Sequence, residues 1–329
     1  MAHQSGPIDP KTVAVLGGGF LGAHIALRLR QDQHTVTVFT RSEPQPPLDG
    51  FLRGCRVVVG DVRDSARLAE VLGSAHHVVY AVGSGHPHAS NLDPIGDVLS
   101  SLPPLLSVVL QLDPAQTLAF LSSGGSVYGN AASIPTAEDA PPEPLSAYGI
   151  TKLAAERYLA LYQRLGRIQS RVFRIANVYG PGQPSNRGQG VIGEFLRCAA
   201  SGTRLHIFGD GSVVRDFIHV ADVADAIVRL LDLPTAPRVI NVGTGVGTTI
   251  KAAAAVVRSV TQKTLDLEYI AGRSADVKVS ILDIHAISRT IPFNPRSLED
   301  GVRDTWAHES PNTGGEAAGE PDQRTVQSL

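Results

Sequence analysis

The stretch "TVAVLGGGFLGAH" (Thr12–His24) decides the fold. A short β-branched run ends in glycines, and the pattern Gly17-x-Gly19-x-x-Gly22 separates this predicted strand from a predicted helix. Glycines at these positions let the backbone turn and approach a pyrophosphate, while the helix N-terminus offers free N–H groups to the anion. The stretch therefore predicts a dinucleotide site rather than a glycine turn without ligand. Its predicted contacts are Gly17, Gly19, Phe20, Leu21 and Gly22.

Four more apolar runs, "HTVTVFT", "CRVVVGD", "HHVVYAVG" and "TLAFLSS", predict further strands, with helical patterns between most of them. This alternation predicts an α/β fold, a Rossmann-type doubly wound parallel sheet covered by helices on both faces. Pro103 and Pro104 are expected to break or kink one of those helices. After Arg174, glycine and proline cluster and the alternation becomes less regular, which indicates a smaller α/β substrate-binding lobe.

The expected domains follow from this change of pattern. They are a flexible tail over 1–10, an NAD(P)-binding domain over 11–180, and a lobe mainly over 181–306 with segments that return to the first domain. Residues 307–329 lack apolar periodicity and are expected to be a disordered tail.

Composition excludes several classes of function. The 329 residues are 43% apolar and 18% charged with a net charge of -2, so the chain lacks the basic field that nucleic-acid binding needs. No apolar stretch follows a basic start or is long enough to span a membrane, so a cytoplasmic location without a membrane partner is expected. Cys55 and Cys198 form no disulfide framework, and no metal site is predicted.

The second predicted strand ends in "VFTRS", that is, Thr40, Arg41 and Ser42. A site that prefers NAD usually has an acid here, whereas Arg41 could pair with a 2′-phosphate. The pattern favours NADP or the use of either cofactor, unless Arg41 is merely solvated. Further cofactor contacts are predicted after the third and fourth strands, at Asp61, Val62, Ala81, Val82 and Gly83.

The segment "SAYGITK" places Tyr148 four residues before Lys152, and "FLSSGGSVYG" precedes it at a predicted strand end. In this context the pair has a chemical logic. Tyr148 exchanges a proton with a sugar alcohol or ketone, a serine hydroxyl orients the reacting oxygen, and the nicotinamide exchanges hydride. Lys152 and the positive nicotinamide are expected to lower the pKa of Tyr148.

Beyond the fourth strand, His86 and His88 are close to where nicotinamide and sugar would meet, so either could touch the substrate. A metal site there is less favoured, because no carboxylate stands at ligand spacing.

Over nearly all of residues 12–306 the chain resembles extended short-chain dehydrogenases/reductases of the NAD-dependent epimerase/dehydratase family, which act on nucleotide sugars. The resemblance rests on the motifs above and on "RIANVYGPGQ", "IFGDGSVVRDFIHVADVADA", "NVGTG" and "GRSADV". It implies that Tyr148 and Lys152 are catalytic. It also implies a homodimer that pairs the run Leu105–Leu112 and the helix Tyr148–Leu165. The implied nucleotide-sugar contacts are Asn177, Gln189, Gly190, Val191, His206, Phe208, Arg215, Arg273 and Asp276.

The chain departs from the family pattern at three points. Its glycine loop is one residue shorter, the acid after the second strand is missing, and Gly124 replaces the usual hydroxyl. If a serine supplies that hydroxyl, it is expected to be Ser126, with Ser123 as the alternative.

The segment "GGS" contains no carboxylate, which disfavours a dehydratase. The pattern favours a dTDP-4-keto-6-deoxyhexose 4-ketoreductase, or the reverse dTDP-deoxysugar 4-dehydrogenase, because the missing acid bears on cofactor choice. The alternative is an NAD-dependent nucleotide-sugar 4-epimerase of the UDP-glucose type. A non-catalytic, NADP(H)-sensing protein of the same fold is less favoured, because the site residues are complete.

Overall fold

The computed structural model describes residues 10–83, 87–184, 190–271 and 277–309. Within these ranges the strands are β1 (Thr12–Leu16), β2 (Thr35–Thr40), β3 (Arg56–Val59), β4 (His77–Tyr80), β5 (Thr117–Ser123), β6 (Gln169–Ile175), β7 (Asn177–Tyr179), β8 (Leu205–Phe208), β9 (Val214–His219), β10 (Val239–Val242), β11 (Gly247–Thr249), β12 (Leu267–Ile270) and β13 (Val279–Ser280). The helices are α1 (Phe20–Gln31), α2 (Leu48–Phe51), α3 (Ser65–Leu72), α4 (Pro87–Leu92), α5 (Pro94–Val109), α6 (Gly124–Val127), α7 (Ala147–Arg164), α8 (Val191–Ser201), α9 (Val220–Leu231), α10 (Ile250–Thr261), α11 (His285–Thr290) and α12 (Leu298–Glu309).

The main sheet has seven strands in the order β10-β6-β5-β4-β1-β2-β3. Every neighbouring pair in it is parallel. The chain builds outward from β1 to β3 and then returns to place β4 on the other side of β1. Strand order therefore reverses between β1 and β4, and ligands of such sheets bind at the carboxyl ends of the strands beside this reversal. The predicted fold class is confirmed.

Alternation along the strands sends side chains into two separate cores. Val13 and Val15 of β1 pack with α1 and α9, whereas Ala14 and Leu16 pack with α3, α5 and α7. Because successive strand residues point to opposite faces, an apolar strand can be buried by helices on both sides. This explains why β1, β4 and β5 are apolar runs rather than alternating sequences.

A smaller lobe follows β6. In it β9 pairs with β7, β11 and β13, and β8 pairs with β12, beside a third core formed largely by α8, α10 and α12. The chain also returns to the first domain in this region, since β10 pairs with β6 in the main sheet and α9 packs against α1.

Two boundaries differ from expectation. The helix α5 runs without a break through Pro103 and Pro104, because burial of Leu105, Val108 and Val109 outweighs the lost backbone hydrogen bonds. The helix α12 extends to Glu309, so the first three residues of the expected tail are helical. In the described ranges no helix combines the length and apolar character needed to cross a membrane.

Candidate active site

The glycine loop joins β1 to α1, and its glycines have different physical tasks. Gly17 has φ +106°, and a Cβ there would lie 2.6 Å from the carbonyl oxygen of Ala81. A Cβ on Gly22 would lie 1.9 Å from the carbonyl oxygen of Gly17. A Cβ on Gly19, by contrast, would meet no atom within 4 Å. The loop thus keeps open space at Gly19, the N-cap of α1, where a pyrophosphate could approach the helix N-terminus.

The ends of β2 and β3 bring charged groups together. Arg41 and Ser42 are exposed, and the Thr40 side chain lies against Gly18 of the loop. Asp61 accepts two hydrogen bonds from the Arg63 guanidinium, at 2.9 Å from Nε and 2.7 Å from Nη2, and a third from the Arg63 backbone N–H at 2.9 Å. Arg63, with a smaller contribution from Arg41, lowers the pKa of Asp61 to about 2. The cofactor contact predicted for Asp61 stays a prediction; its pairing with Arg63 was missed, although "GDVRD" contains both residues.

Beyond β4, Ala81 and Val82 are half-buried, and Gly83 has φ +135° with open space where a Cβ would be. A cavity begins here and reaches the predicted catalytic pair. Its lining consists of Tyr80, Val82, Gly83, Ser101, Phe120, Tyr148, Thr151, Lys152 and Ala155. The segment after β4 and the Tyr–Lys motif therefore line the same cavity. Val62, also predicted as a cofactor contact, is buried in the core behind β3.

Local structure fixes the start of α7. Ser146 caps the helix by accepting a hydrogen bond from the backbone N–H of Gly149 at 3.2 Å. A Cβ on Gly149 would lie 2.7 Å from the carbonyl oxygen of Ser126, so only glycine lets α7 approach α6 this closely. Tyr148 stands in the first turn of α7, and Lys152 follows one turn later on the same face.

Lys152 is held by β5. Its Nζ donates to the carbonyl oxygen of Leu121 at 2.9 Å and lies 4.9 Å from the Phe120 ring centroid. Burial lowers the pKa of Lys152 to about 8, against the opposing fields of Asp97 and Glu156. The lysine therefore changes charge near the pH at which the protein would work.

Burial raises the pKa of Tyr148 to about 12; the Asp97 charge adds to this, and a hydrogen bond with Ser123 opposes it. The protein alone thus favours the neutral phenol. The expected lowering involved the positive nicotinamide as well as Lys152, and it stays a prediction.

Gly124 stands where the family usually has a hydroxyl, and the structure leaves no room there for a side chain. A Cβ on Gly124 would lie 2.6 Å from Cδ1 and 2.9 Å from Cδ2 of Leu282, which is 1% exposed. Leu282 therefore fills the space that a side chain at position 124 would need. The hydroxyl bonded to Tyr148 belongs to Ser123, at the end of β5, rather than to the favoured Ser126. Ser126 is half-buried in α6, and its catalytic role stays a prediction.

A buried polar network supports this site, and the sequence analysis missed it. Glu156, one turn after Lys152, forms an ion pair with Arg174 at 2.7 Å and accepts a hydrogen bond from Ser122 at 2.5 Å. Arg174 also donates to the hydroxyl of Tyr128 at 2.9 Å, which in turn donates to Asn241 at 2.8 Å. The network ties α7 to β5, β6 and β10. The available signal was the glutamate Glu156, which stands four residues after Lys152.

Among the predicted substrate residues, Asn177 shows the clearest sign of a missing partner. Its Oδ1 is buried without a hydrogen-bond partner in the described ranges, close to where a Cβ on Gly125 would lie. Gly190, with φ +83°, is the N-cap of α8, and Val191 is its first residue. An amide and a helix N-terminus in this region fit a diphosphate.

The remaining predicted substrate residues lie farther along the smaller lobe. His206 and Phe208 occupy the exposed face of β8, and His206 Nε2 lies 3.2 Å from a carboxylate oxygen of Glu268. Arg215 donates to the carbonyl oxygens of Val214 and Val277 at 3.0 and 2.7 Å. His88 is exposed on α4. The other predicted contacts, His86, Gln189, Arg273 and Asp276, lie outside the described residues.

Comparison with known proteins decides the family. The model described as "NAD dependent epimerase/dehydratase family" matches residues 13–243. The chain belongs to this family. It is 31% identical to a UDP-glucose 4-epimerase of Rhizobium leguminosarum bv. trifolii, over 90% of this chain and 96% of that protein. It is 25% identical to a dTDP-4-dehydro-6-deoxyglucose reductase of Escherichia coli, over 87% and 93% of the two chains.

A solved structure shows the same fold. The UDP-glucose 4-epimerase of Thermus thermophilus, in complex with NAD, aligns with a TM-score of 0.82 and 26% identity. The alignment covers 90% of this chain and 98% of that one. The predicted family and enzyme class, an NAD(P)-dependent enzyme of the epimerase/dehydratase family, are confirmed. In the described part of the chain, no three His, Cys, Asp or Glu side chains cluster as metal ligands.

Proposed function

We propose that the protein is an NAD-dependent 4-epimerase of a nucleoside-diphosphate sugar. The observation that carries the proposal is the set formed by Ser123, Tyr148 and Lys152 at the carboxyl edge of the main sheet. Epimerisation at C4 removes and returns one proton and one hydride, so a single acid–base group suffices. The chain is 31% identical to a UDP-glucose 4-epimerase over 90% of its length, which favours the epimerase over the reductase expected from the sequence.

The residues present fit the cofactor. Gly17, Gly19 and the N-terminus of α1 would hold the pyrophosphate, and open space at Gly83 would admit the nicotinamide end. When bound, NAD would supply the hydride acceptor and donor for C4. Asn177 and the N-terminus of α8 would hold the substrate diphosphate.

The residues of this chain then carry the proton. Tyr148, as the phenolate, accepts the proton of the C4 hydroxyl while the C4–H bond breaks. Ser123 donates a hydrogen bond to the reacting oxygen and holds it beside Tyr148. Lys152 places a positive charge next to the phenolate and thereby stabilises it. After the keto-sugar rotates in the site and presents its other face, Tyr148 returns the proton and the opposite C4 configuration forms.

A second function, reduction of a 4-keto-sugar with NADPH, is favoured by one observation. Arg41 is exposed at the end of β2, and no carboxylate follows that strand to repel a 2′-phosphate. The similarity to the Escherichia coli dTDP-4-dehydro-6-deoxyglucose reductase agrees with this alternative.

One experiment separates the two functions. The purified protein is denatured and the released NAD(H) and NADP(H) are measured. Near-stoichiometric NAD, with interconversion of UDP-sugars and no consumption of NADPH, is expected for the epimerase. The proposal would be contradicted if the protein released no cofactor and then consumed NADPH in the presence of dTDP-4-keto-6-deoxyhexoses. If Tyr148→Phe left every activity unchanged, the non-catalytic alternative would replace both.

We also propose that two copies pair through α5 and α7. These helices pack against each other and expose apolar side chains, including Leu99 on α5 and Ile150 and Leu161 on α7. Within the run Leu105–Leu112 that was expected to pair, Leu105, Val108, Val109 and Leu112 are instead buried in the chain's own core. An apolar face of this kind on adjacent helices fits a second copy related by a two-fold axis. The homodimer and the cytoplasmic location both stay predictions.

A further inference from the structure

Asp97 is a buried carboxylate for which the mechanism above has no use. It stands in the first turn of α5 and is 7% exposed. Ser90 donates a hydrogen bond to its Oδ1 at 2.7 Å, whereas its Oδ2 is buried with no hydrogen-bond partner in the described ranges. A buried carboxylate oxygen without a partner costs free energy, so a compensating charge is expected nearby.

The position of Asp97 directs its charge towards the catalytic pair. The helix α5 packs against α7, and Ser101, one turn after Asp97 on the same face, lines the cavity shared with Tyr148 and Lys152. The field of Asp97 raises the pKa of both Tyr148 and Lys152.

The other groups around Lys152 do not supply this compensation. Glu156, one turn further along α7, is already neutralised by Arg174 from β6. Tyr148 is neutral in the free protein, and β5 presents a carbonyl oxygen and the Phe120 ring. In the part of the chain that the structure describes, Asp97 is therefore the carboxylate near Lys152 that has no cationic partner of its own.

We propose that Asp97 is the buried counter-charge of Lys152, a positioning residue that keeps the lysine protonated beside Tyr148 near neutral pH. Burial lowers the pKa of Lys152, and the charge of Asp97 opposes this lowering. The inference concerns the charge of the lysine in the free protein, so it holds whichever sugar or reaction the enzyme uses.

The test is an NMR titration of the full chain labelled with ¹³C at lysine Cε. The sequence has five lysines, and the Lys152→Met variant identifies the signal that belongs to position 152. In the unchanged protein its midpoint is expected near 8. In Asp97→Asn the midpoint is expected to fall by about one pH unit, the size of effect that one nearby charge produces.

Two controls separate charge from structure. Asp93→Asn makes the same chemical change at the exposed N-cap of the same helix, and asparagine still caps. Ser90→Ala removes the hydrogen bond to Asp97 but leaves its charge. Both should keep the Lys152 midpoint within about 0.3 pH units, a small fraction of the effect of a close charge.

Two results would overturn the proposal. They are an unchanged midpoint in Asp97→Asn and an equal shift in Asp93→Asn. If Asp97→Asn does not fold, Asp97→Ser replaces it with the same expected shift. No cofactor or substrate is needed, so failure here is distinct from failure of the proposed epimerase.

Discussion

Replacing Ser123 by alanine tests which hydroxyl serves Tyr148. The structure assigns one side-chain hydrogen bond on Tyr148 to Ser123, and this bond lowers the pKa of the phenol. In the reaction the same hydroxyl would bond a group that becomes charged, and such bonds contribute about 1.5–3 kcal/mol. Because about 1.4 kcal/mol is a factor of ten in rate, Ser123→Ala should lower kcat/KM by about 10- to 100-fold.

The assay is interconversion of the UDP-sugar that the wild type accepts, followed over a range of pH. Ser126→Ala, in the neighbouring helix α6, is the matched control. It should change kcat/KM by less than about threefold, since a substitution away from the reacting groups typically costs only about 0.5 kcal/mol. In Ser123→Ala the pKa of Tyr148 should rise, so the alkaline-side increase in rate should move to higher pH. Full activity in Ser123→Ala together with a large loss in Ser126→Ala would refute this assignment.

Three more predictions concern stability and assembly. Glu156→Gln leaves Arg174 buried without its counter-charge and should lower the free energy of unfolding by about 3–5 kcal/mol in urea titrations; a loss below about 1 kcal/mol would contradict the network. Burial lowers the pKa of His24, so stability is complete above the ordinary pKa of about 6.5 and falls as the pH drops below it, by up to about 1.4 kcal/mol per pH unit. His24→Gln should reduce the dependence of the free energy of unfolding on pH between pH 6.5 and 5. Equal slopes in the variant and the wild type would contradict this role of His24. Leu161→Glu should convert a dimer to a monomer in size-exclusion chromatography with light scattering, whereas Arg164→Glu, on the same helix, should not.

The sequence was sufficient for elements whose signal is local. The strands β1 to β5 were predicted because their apolar runs are continuous, which is typical of strands buried on both faces. Tyr148 and Lys152 were predicted as neighbours because the spacing of four residues puts them on one helix face. The glycine loop was predicted because backbone conformation and close approach restrict those positions to glycine.

Features that depend on distant packing were not predictable in this way. The absence of a side chain at Gly124 depends on Leu282, which is far from Gly124 in the chain but fills the space beside it. Likewise Pro103 and Pro104 suggest a helix break, yet the buried residues that follow them keep α5 continuous. Local preference gives way where tertiary burial supplies more free energy.

The electrostatics of the site could not be predicted from the motifs for the same reason. The charges of Asp97 and Glu156 both act on Lys152. Only the structure shows that Glu156 is already paired with Arg174, whereas Asp97 has no cationic partner among the described residues. A short motif specifies the groups that exchange protons, whereas their pKa values depend on burial and on charges brought in by other elements. Under the proposed function, Tyr148 and Lys152 supply the proton-exchanging groups, and we expect the pH at which they operate to depend on Asp97 of α5.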